Sequence, residues 1–139
     1  MTVAIIDYGV GNLFSLASSL RYLGVEAKVT ADAAELCAAE RLILPGVGAF
    51  GDAAAKLRQS VLFAVVQEQA AAGKPLLGIC LSMQLLFERS FEYGEHQGLG
   101  LIAGRVQDLQ PDLVEKSLKT PQIGWSSLHS LRTAPWFKY

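Results

Sequence analysis

Gly73-Lys-Pro-Leu-Leu-Gly-Ile-Cys-Leu-Ser-Met-Gln84 decides how the chain folds. Gly73 and Pro75 stop any helix that precedes them. Leu76 to Ile79 is then an unbroken apolar run ending in Cys80, and helix-forming residues from Leu81 to Glu88 follow at once. A continuous apolar run, unlike an alternating one, reads as a strand covered on both faces, the mark of a parallel sheet. The same unit recurs upstream. Val3 to Ile6 is a β-branched run closed by Asp7, Gly9 and Gly11. Asn12 follows as a helix cap, and Leu13, Leu16, Ala17 and Leu20 recur at helical spacing. Val25 to Val29 reads as a second strand, Ala33 to Ala38 as a short helix and Arg41 to Leu44 as a third strand.

Pro45-Gly-Val-Gly48 forces a loop. Asp52 is expected to cap a helix that runs to about Ala72 with a bend near Ser60. Beyond Gly94 the pattern changes: Leu99 to Leu109 and Gln122 to Leu131 read as shorter strands of an antiparallel edge. The expected class is therefore α/β, an open and mostly parallel sheet with helices on both faces. One domain over residues 1–139 is expected from the length.

Composition narrows the function. Twelve basic and thirteen acidic residues give a net charge of −1, which lacks the basic footprint of a nucleic-acid binder or a polybasic membrane tether. No apolar stretch approaches the roughly 18 residues of a membrane span, and the N-terminus does not read as a signal peptide. Two cysteines, Cys37 and Cys80, suggest no disulfide framework, so a cytoplasmic setting is expected. No metal or cofactor is expected either.

Two motifs sit at strand ends. Gly46-Val-Gly-Ala-Phe-Gly51 imitates a dinucleotide loop, but the fingerprint belongs after the first strand and wants an acid some 20 residues on, where Ala70-Ala-Ala72 stands. Tight-turn glycines are the better reading; loop 45–48 pointing N–H groups at an anion is a third. Gly78-Ile-Cys-Leu-Ser82 has the shape of a nucleophile elbow, a sharp strand-to-helix turn that lifts a reactive side chain beyond the sheet. Unpaired N–H groups at the helix start would favour a thiolate there. The N–H of Leu81, with one from Gly46, Val47 or Gly48, would meet the oxyanion of a tetrahedral intermediate. A small buried hydrophobe is the competing reading for Cys80, and the one kept for Cys37.

Asp7-Tyr-Gly-Val-Gly-Asn-Leu13, Leu44-Pro-Gly-Val-Gly-Ala-Phe-Gly-Asp52 and Gly73 through Glu88, continued by Gly98-Leu-Gly-Leu-Ile102 and Pro121-Gln-Ile-Gly-Trp125, together resemble the class I, triad-type glutaminases. Within them, the first segment together with Gly124-Trp125 resembles the glutamine amidotransferase subunits of imidazole glycerol phosphate synthase. The resemblance implies a flavodoxin-like class I glutamine amidotransferase fold. It implies that Cys80 attacks the glutamine side-chain amide and forms a glutamyl thioester. The released ammonia would pass to a (β/α)8 cyclase partner in histidine biosynthesis. It places Gly48 and Leu81 at oxyanion and substrate-cradling positions. Gln84 and Glu92 fall where the family holds the substrate's amino-acid end, and Asn12 and Trp125 where it faces the cyclase. An ordinary helix-face residue and a loop residue are the alternatives for Gln84 and Glu92, a helix cap and a core aromatic those for Asn12 and Trp125.

Two departures accompany the match. Ser82 stands where the elbow has a second glycine. The family's His-x-Glu triad segment does not occur before Tyr139, so the chain is read as incomplete at its C-terminus. His96, expected in a solvated turn, and His129, expected on a strand, are not assigned to the triad. The main expectation is thus an ammonia-producing glutaminase. A non-catalytic partner-binding fragment, or a hydrolase or redox-sensing cysteine domain on a similar scaffold, are the alternatives.

Overall fold

The computed structural model describes residues 2–113, 121, 123–127 and 129. They fall in two compact units, one ending at Asp108 and one beginning at Leu109. In the first unit strands and helices alternate: β1 (Val3–Ile6), α1 (Leu13–Tyr22), β2 (Ala27–Thr30), α2 (Ala33–Ala38), β3 (Arg41–Leu44), α3 (Phe50–Gln59), α4 (Leu62–Ala71), β4 (Leu76–Gly78) and α5 (Leu81–Leu85). Then come β5 (Phe87–Ser90), β6 (His96–Gln97) and β7 (Ile102–Val106). The second unit contributes α6 (Gln110–Leu113).

β1 to β4 form a parallel sheet in the order β2-β1-β3-β4. Side chains alternate across it. Val3, Ile5 and Ile43 meet Leu13, Leu16, Ala17 and Leu20 of α1 on one face. Ala4, Ile6, Leu42 and Leu44 join the larger core on the other, with Leu36, Phe50, Leu57, Leu62, Val66, Leu81 and Leu85 from α2 to α5. The open, mostly parallel sheet with helices on both faces is therefore as expected.

Several expected boundaries differ, each for a local reason. α5 does not run to Glu88. The Leu85 carbonyl accepts from Leu99 N–H at 2.7 Å and that of Leu86 from Leu101 and Ile102 at 2.8 and 2.9 Å. Those acceptors, which a longer helix would need, are taken, and Phe87–Ser90 becomes a strand. The expected long helix is two. At Ser60 the hydroxyl donates to the Leu57 carbonyl at 2.8 Å and accepts from Leu62 N–H at 3.3 Å, ending α3 and opening α4. Asp52 is not a cap: α3 begins at Phe50, leaving Asp52 in its first turn, where a carboxylate complements the helix dipole.

The edge beyond Gly94 is mixed. β5 pairs antiparallel with β6 but parallel with β7, giving a second sheet ordered β6-β5-β7. Gln122, Leu128, Ser130 and Leu131 of the last expected strand lie outside the described residues; residues 123–127 and 129 carry no strand, so His129 is not on one. His96 is half-buried on β6 rather than in a solvated turn. Cys37 is exposed, not core. Among the described residues no helix is long and apolar enough to cross a membrane.

Candidate active site

Three chain crossings from strand to helix meet at the carboxyl ends of β1, β3 and β4, the end at which open α/β sheets bind ligands. Each approach depends on a residue without room for a larger one. Gly11, after β1 and at φ +115°, packs on Pro45, where a Cβ would come within 2.8 Å of the proline Cβ. Gly46, after β3 and buried, packs on Ser82, where a Cβ would lie 2.8 Å from the Ser82 nitrogen. Gly78, at the end of β4, packs on the first turn of α5, where a Cβ would lie 2.9 Å from the Met83 nitrogen and Cα. The glycines at 46, 48 and 51 thus do three separate things: close packing on Ser82, a left-handed turn at φ +96°, and space on α3 for the His96 ring.

Cys80 occupies the turn between β4 and α5. It is exposed, so the buried-hydrophobe reading does not hold. Its backbone sits at φ 56° and ψ −117°, one of two non-glycine positive φ values among the described residues. Such a conformation costs about 1–3 kcal/mol and survives only where the surroundings impose it. Here they do. Ile79 N–H is held by the Leu44 carbonyl at 3.1 Å, and the Cys80 carbonyl accepts from Met83 N–H at 3.0 Å. The strand register fixes one side of the cysteine and the helix start fixes the other.

α5 spans five residues, a shorter dipole than the expected helix would carry. Leu81 is buried, and as its first residue has an N–H with no intrahelical acceptor. Ser82 N–H is occupied by the Ile79 carbonyl at 3.2 Å. Gln84 lies one turn beyond Cys80 and is half-buried.

The loop that opens with Pro45 is held at both ends by side chains from much later in the chain. At its start the Ser82 hydroxyl donates to the Pro45 carbonyl at 2.5 Å. Past its end, Glu92 accepts the Phe50 N–H at 2.7 Å, supplying α3 with the cap that Ala49 does not. Between these anchors Val47 and Gly48 are exposed. Glu92 is set in turn by its own N–H, which donates to the Ser90 hydroxyl at 3.1 Å.

Cys80, Gly46 and Leu81 are thus brought together with the base of the loop through Ser82, while Glu92 joins from the far side of that loop. Asn12 is exposed and caps α1, accepting from Ser15 N–H at 3.1 Å. Trp125, in the second unit, is exposed rather than part of a core. Among the described residues no group of histidines, cysteines or carboxylates is suited to a metal ion. None of them bonds the Cys80 thiol either.

Sequence reasoning missed Tyr8. Its hydroxyl lies 3.2 Å from Ser82 Oγ, and burial raises its pKa above the usual phenol range, an effect the Ser82 bond partly offsets. The signal was available. A polar residue in place of an elbow glycine, in a turn expected to be tightly packed, needs a buried partner.

Comparison with known proteins gives one consistent result. The sequence profile of class-I glutamine amidotransferases matches residues 4–132. The imidazole glycerol phosphate synthase subunit HisH of Lactiplantibacillus plantarum is 54% identical over 123 residues, 88% of this chain and 58% of the relative. The subunit of the same name from Wolinella succinogenes is 46% identical over 136 residues, 98% of this chain and 66% of the relative. The chain thus spans about three-fifths of the length of these relatives. A crystal structure of a glutamine amidotransferase superposes with a TM-score of 0.65 over 76% of this chain and 55% of the other, at 24% identity, a likeness of fold.

Proposed function

Because the chain belongs to the class-I glutamine amidotransferases, we propose that it is the glutaminase part of an imidazole glycerol phosphate synthase, working in the cytoplasm beside a (β/α)8 cyclase. Cys80 sulfur attacks the side-chain carboxamide carbon of glutamine, forming a C–S bond. The tetrahedral oxyanion is met by the Leu81 N–H and one from Gly46, Val47 or Gly48. Breaking the C–N bond releases ammonia, which takes up a proton on leaving, and water then hydrolyses the thioester to glutamate and the free thiol. Gln84 and Glu92 hold the amino-acid end of the substrate; Asn12 and Trp125 face the cyclase, which consumes the ammonia. The glutaminase is read as one domain.

The observation that carries this reading is the backbone of Cys80. A strained, exposed cysteine, sprung between a strand end and a helix start beside a glycine loop, is what an attacking thiol requires. Glutamate release from glutamine in the presence of the cyclase tests it. The expected result is loss of release in Cys80→Ala, and equal rates in the two proteins would exclude the assignment.

A second reading is favoured by one observation, that no described residue bonds the Cys80 thiol as a base. On it the chain binds the cyclase without turning glutamine over. The cyclase would then co-purify and run on free ammonia, while glutamine gave no product.

Glu92 allows its two duties to be separated. Glu92→Ala removes the α3 cap and is expected to cost about 1 kcal/mol in urea unfolding. Glu92→Gln keeps an acceptor but loses the charge. It should hold stability within about 0.5 kcal/mol while weakening saturation by a glutamine analogue. Unchanged saturation in Glu92→Gln would leave Glu92 a cap alone.

A further inference from the structure

We propose that Ser82 is a positioning residue: its hydroxyl, donated to the Pro45 carbonyl and held by the Tyr8 phenol, fixes the Pro45–Gly46 peptide at the base of the loop beside Cys80. This rests on the reading of Cys80 as the glutamine-attacking thiol and adds to it a part that a glycine elbow does not have.

The direction of the relay follows from valence. A carbonyl only accepts, so the single Ser82 proton goes to Pro45 over 2.5 Å. Only lone pairs of Ser82 Oγ then remain for Tyr8, so the phenol donates across 3.2 Å. Tyr8, Ser82 and Pro45 are all buried, where an unmade bond is costly. The phenol is in any case protonated, and so a donor, at neutral pH, and burial moves its pKa further from that range.

The peptide plane gives the relay its consequence. In a planar trans peptide the C=O and N–H point in opposite directions, so holding the Pro45 carbonyl against Ser82 also sets the direction of the Gly46 N–H. Gly11 closes on the Pro45 ring and Gly46 on Ser82 itself, so this end of the loop has little freedom to turn. The oxyanion donors proposed for residues 46–48 start from that fixed plane. Ser82 touches no substrate in this account; it acts through the peptide it holds.

A glutamine-mimicking chloroketone tests this on the full chain without needing turnover. Cys80 sulfur displaces chloride: a C–S bond forms, the C–Cl bond breaks, and the thiol proton passes to solvent. With the second exposed thiol removed by Cys37→Ala in every protein compared, the rate constant at saturation is divided by the rate constant for iodoacetamide, which then reacts with the same thiol but uses no oxyanion donors. In Ser82→Ala this ratio should fall about tenfold, because the methyl group supplies no donor and leaves no room for water. In Ser82→Gly it should fall by less than about threefold, because a water in the vacated space can bond both the Tyr8 hydroxyl and the Pro45 carbonyl. Tyr8→Phe should lower it about threefold, and adding Tyr8→Phe to Ser82→Ala should lower it no further.

A space-filling role for Ser82 predicts the reverse order, with glycine worse than alanine, and that order would overturn the proposal. So would a Ser82→Ala ratio within about twofold of the unaltered chain. If Ser82→Ala does not fold, as melting would report, an unchanged ratio in Tyr8→Phe overturns it instead. Saturable labelling with unaffected ratios removes the positioning role alone. Labelling of the unaltered chain that never saturates removes the glutaminase reading, and this inference with it.

Discussion

Cys80→Gly is expected to unfold at a higher temperature than the unaltered chain and to lose every reaction of the elbow thiol. At φ 56° and ψ −117° a cysteine pays about 1–3 kcal/mol that a glycine does not. Glycine returns part of this, roughly 0.5–1 kcal/mol, through the greater freedom of its unfolded chain. Cys80 is exposed, so little apolar burial goes with the side chain. The net is a gain of about 1 kcal/mol, or about 3 °C for a chain of this size. Cys80→Ala is the control: it removes the sulfur and keeps the strain, so it should gain nothing. Thermal unfolding of the three proteins decides the matter. A glycine variant no more stable than the alanine variant would mean that the elbow is not strained.

Gly46→Ala should produce the largest loss. The added Cβ would meet the Ser82 hydroxyl first and would stand 2.8 Å from the Ser82 nitrogen and 3.2 Å from its Cβ, in a buried seam. The hydroxyl is tied to Pro45 and Tyr8 and the nitrogen belongs to the backbone, so neither yields cheaply and the cost falls at the upper end of overpacking, about 3 kcal/mol. Ser82→Gly offers a partial remedy by removing the Ser82 Cβ and hydroxyl while leaving the nitrogen in place. The double variant should therefore be about 1 kcal/mol more stable than the sum of the single changes predicts. Urea unfolding of the four proteins measures that coupling. Strict additivity would show that loop and elbow do not press on each other at this point.

How much of this was legible in the sequence depended on how local the signal was. β1 and β3 were read to the residue, because a buried parallel strand writes itself as a continuous apolar run. The elbow was legible for the same reason: its glycine, cysteine and helix start are adjacent. What failed was set by distant partners. Phe87 and Glu88 are compatible with helix, and only the amides of Leu99, Leu101 and Ile102, taking the Leu85 and Leu86 carbonyls, convert that stretch to strand. Asp52 was expected to cap α3, an expectation drawn from its own neighbourhood in the chain. The group that does it, Glu92, is 42 positions away. The partner of Ser82 is farther still, 74 positions back at Tyr8.

The two anchors of the Pro45 loop carry a consequence for the order of assembly. Ser82 lies 37 positions after Pro45 and Glu92 lies 42 after Phe50, so neither clamp can close by local diffusion of the chain. Contacts of such separation form late, after the loop-closure entropy of the intervening segment has been overcome. A ribosome-bound chain that had emerged only to residue 90 would already hold its thiol but not its downstream clamp. During refolding, general reactivity of the sulfur should therefore recover before selectivity for a glutamine-shaped electrophile.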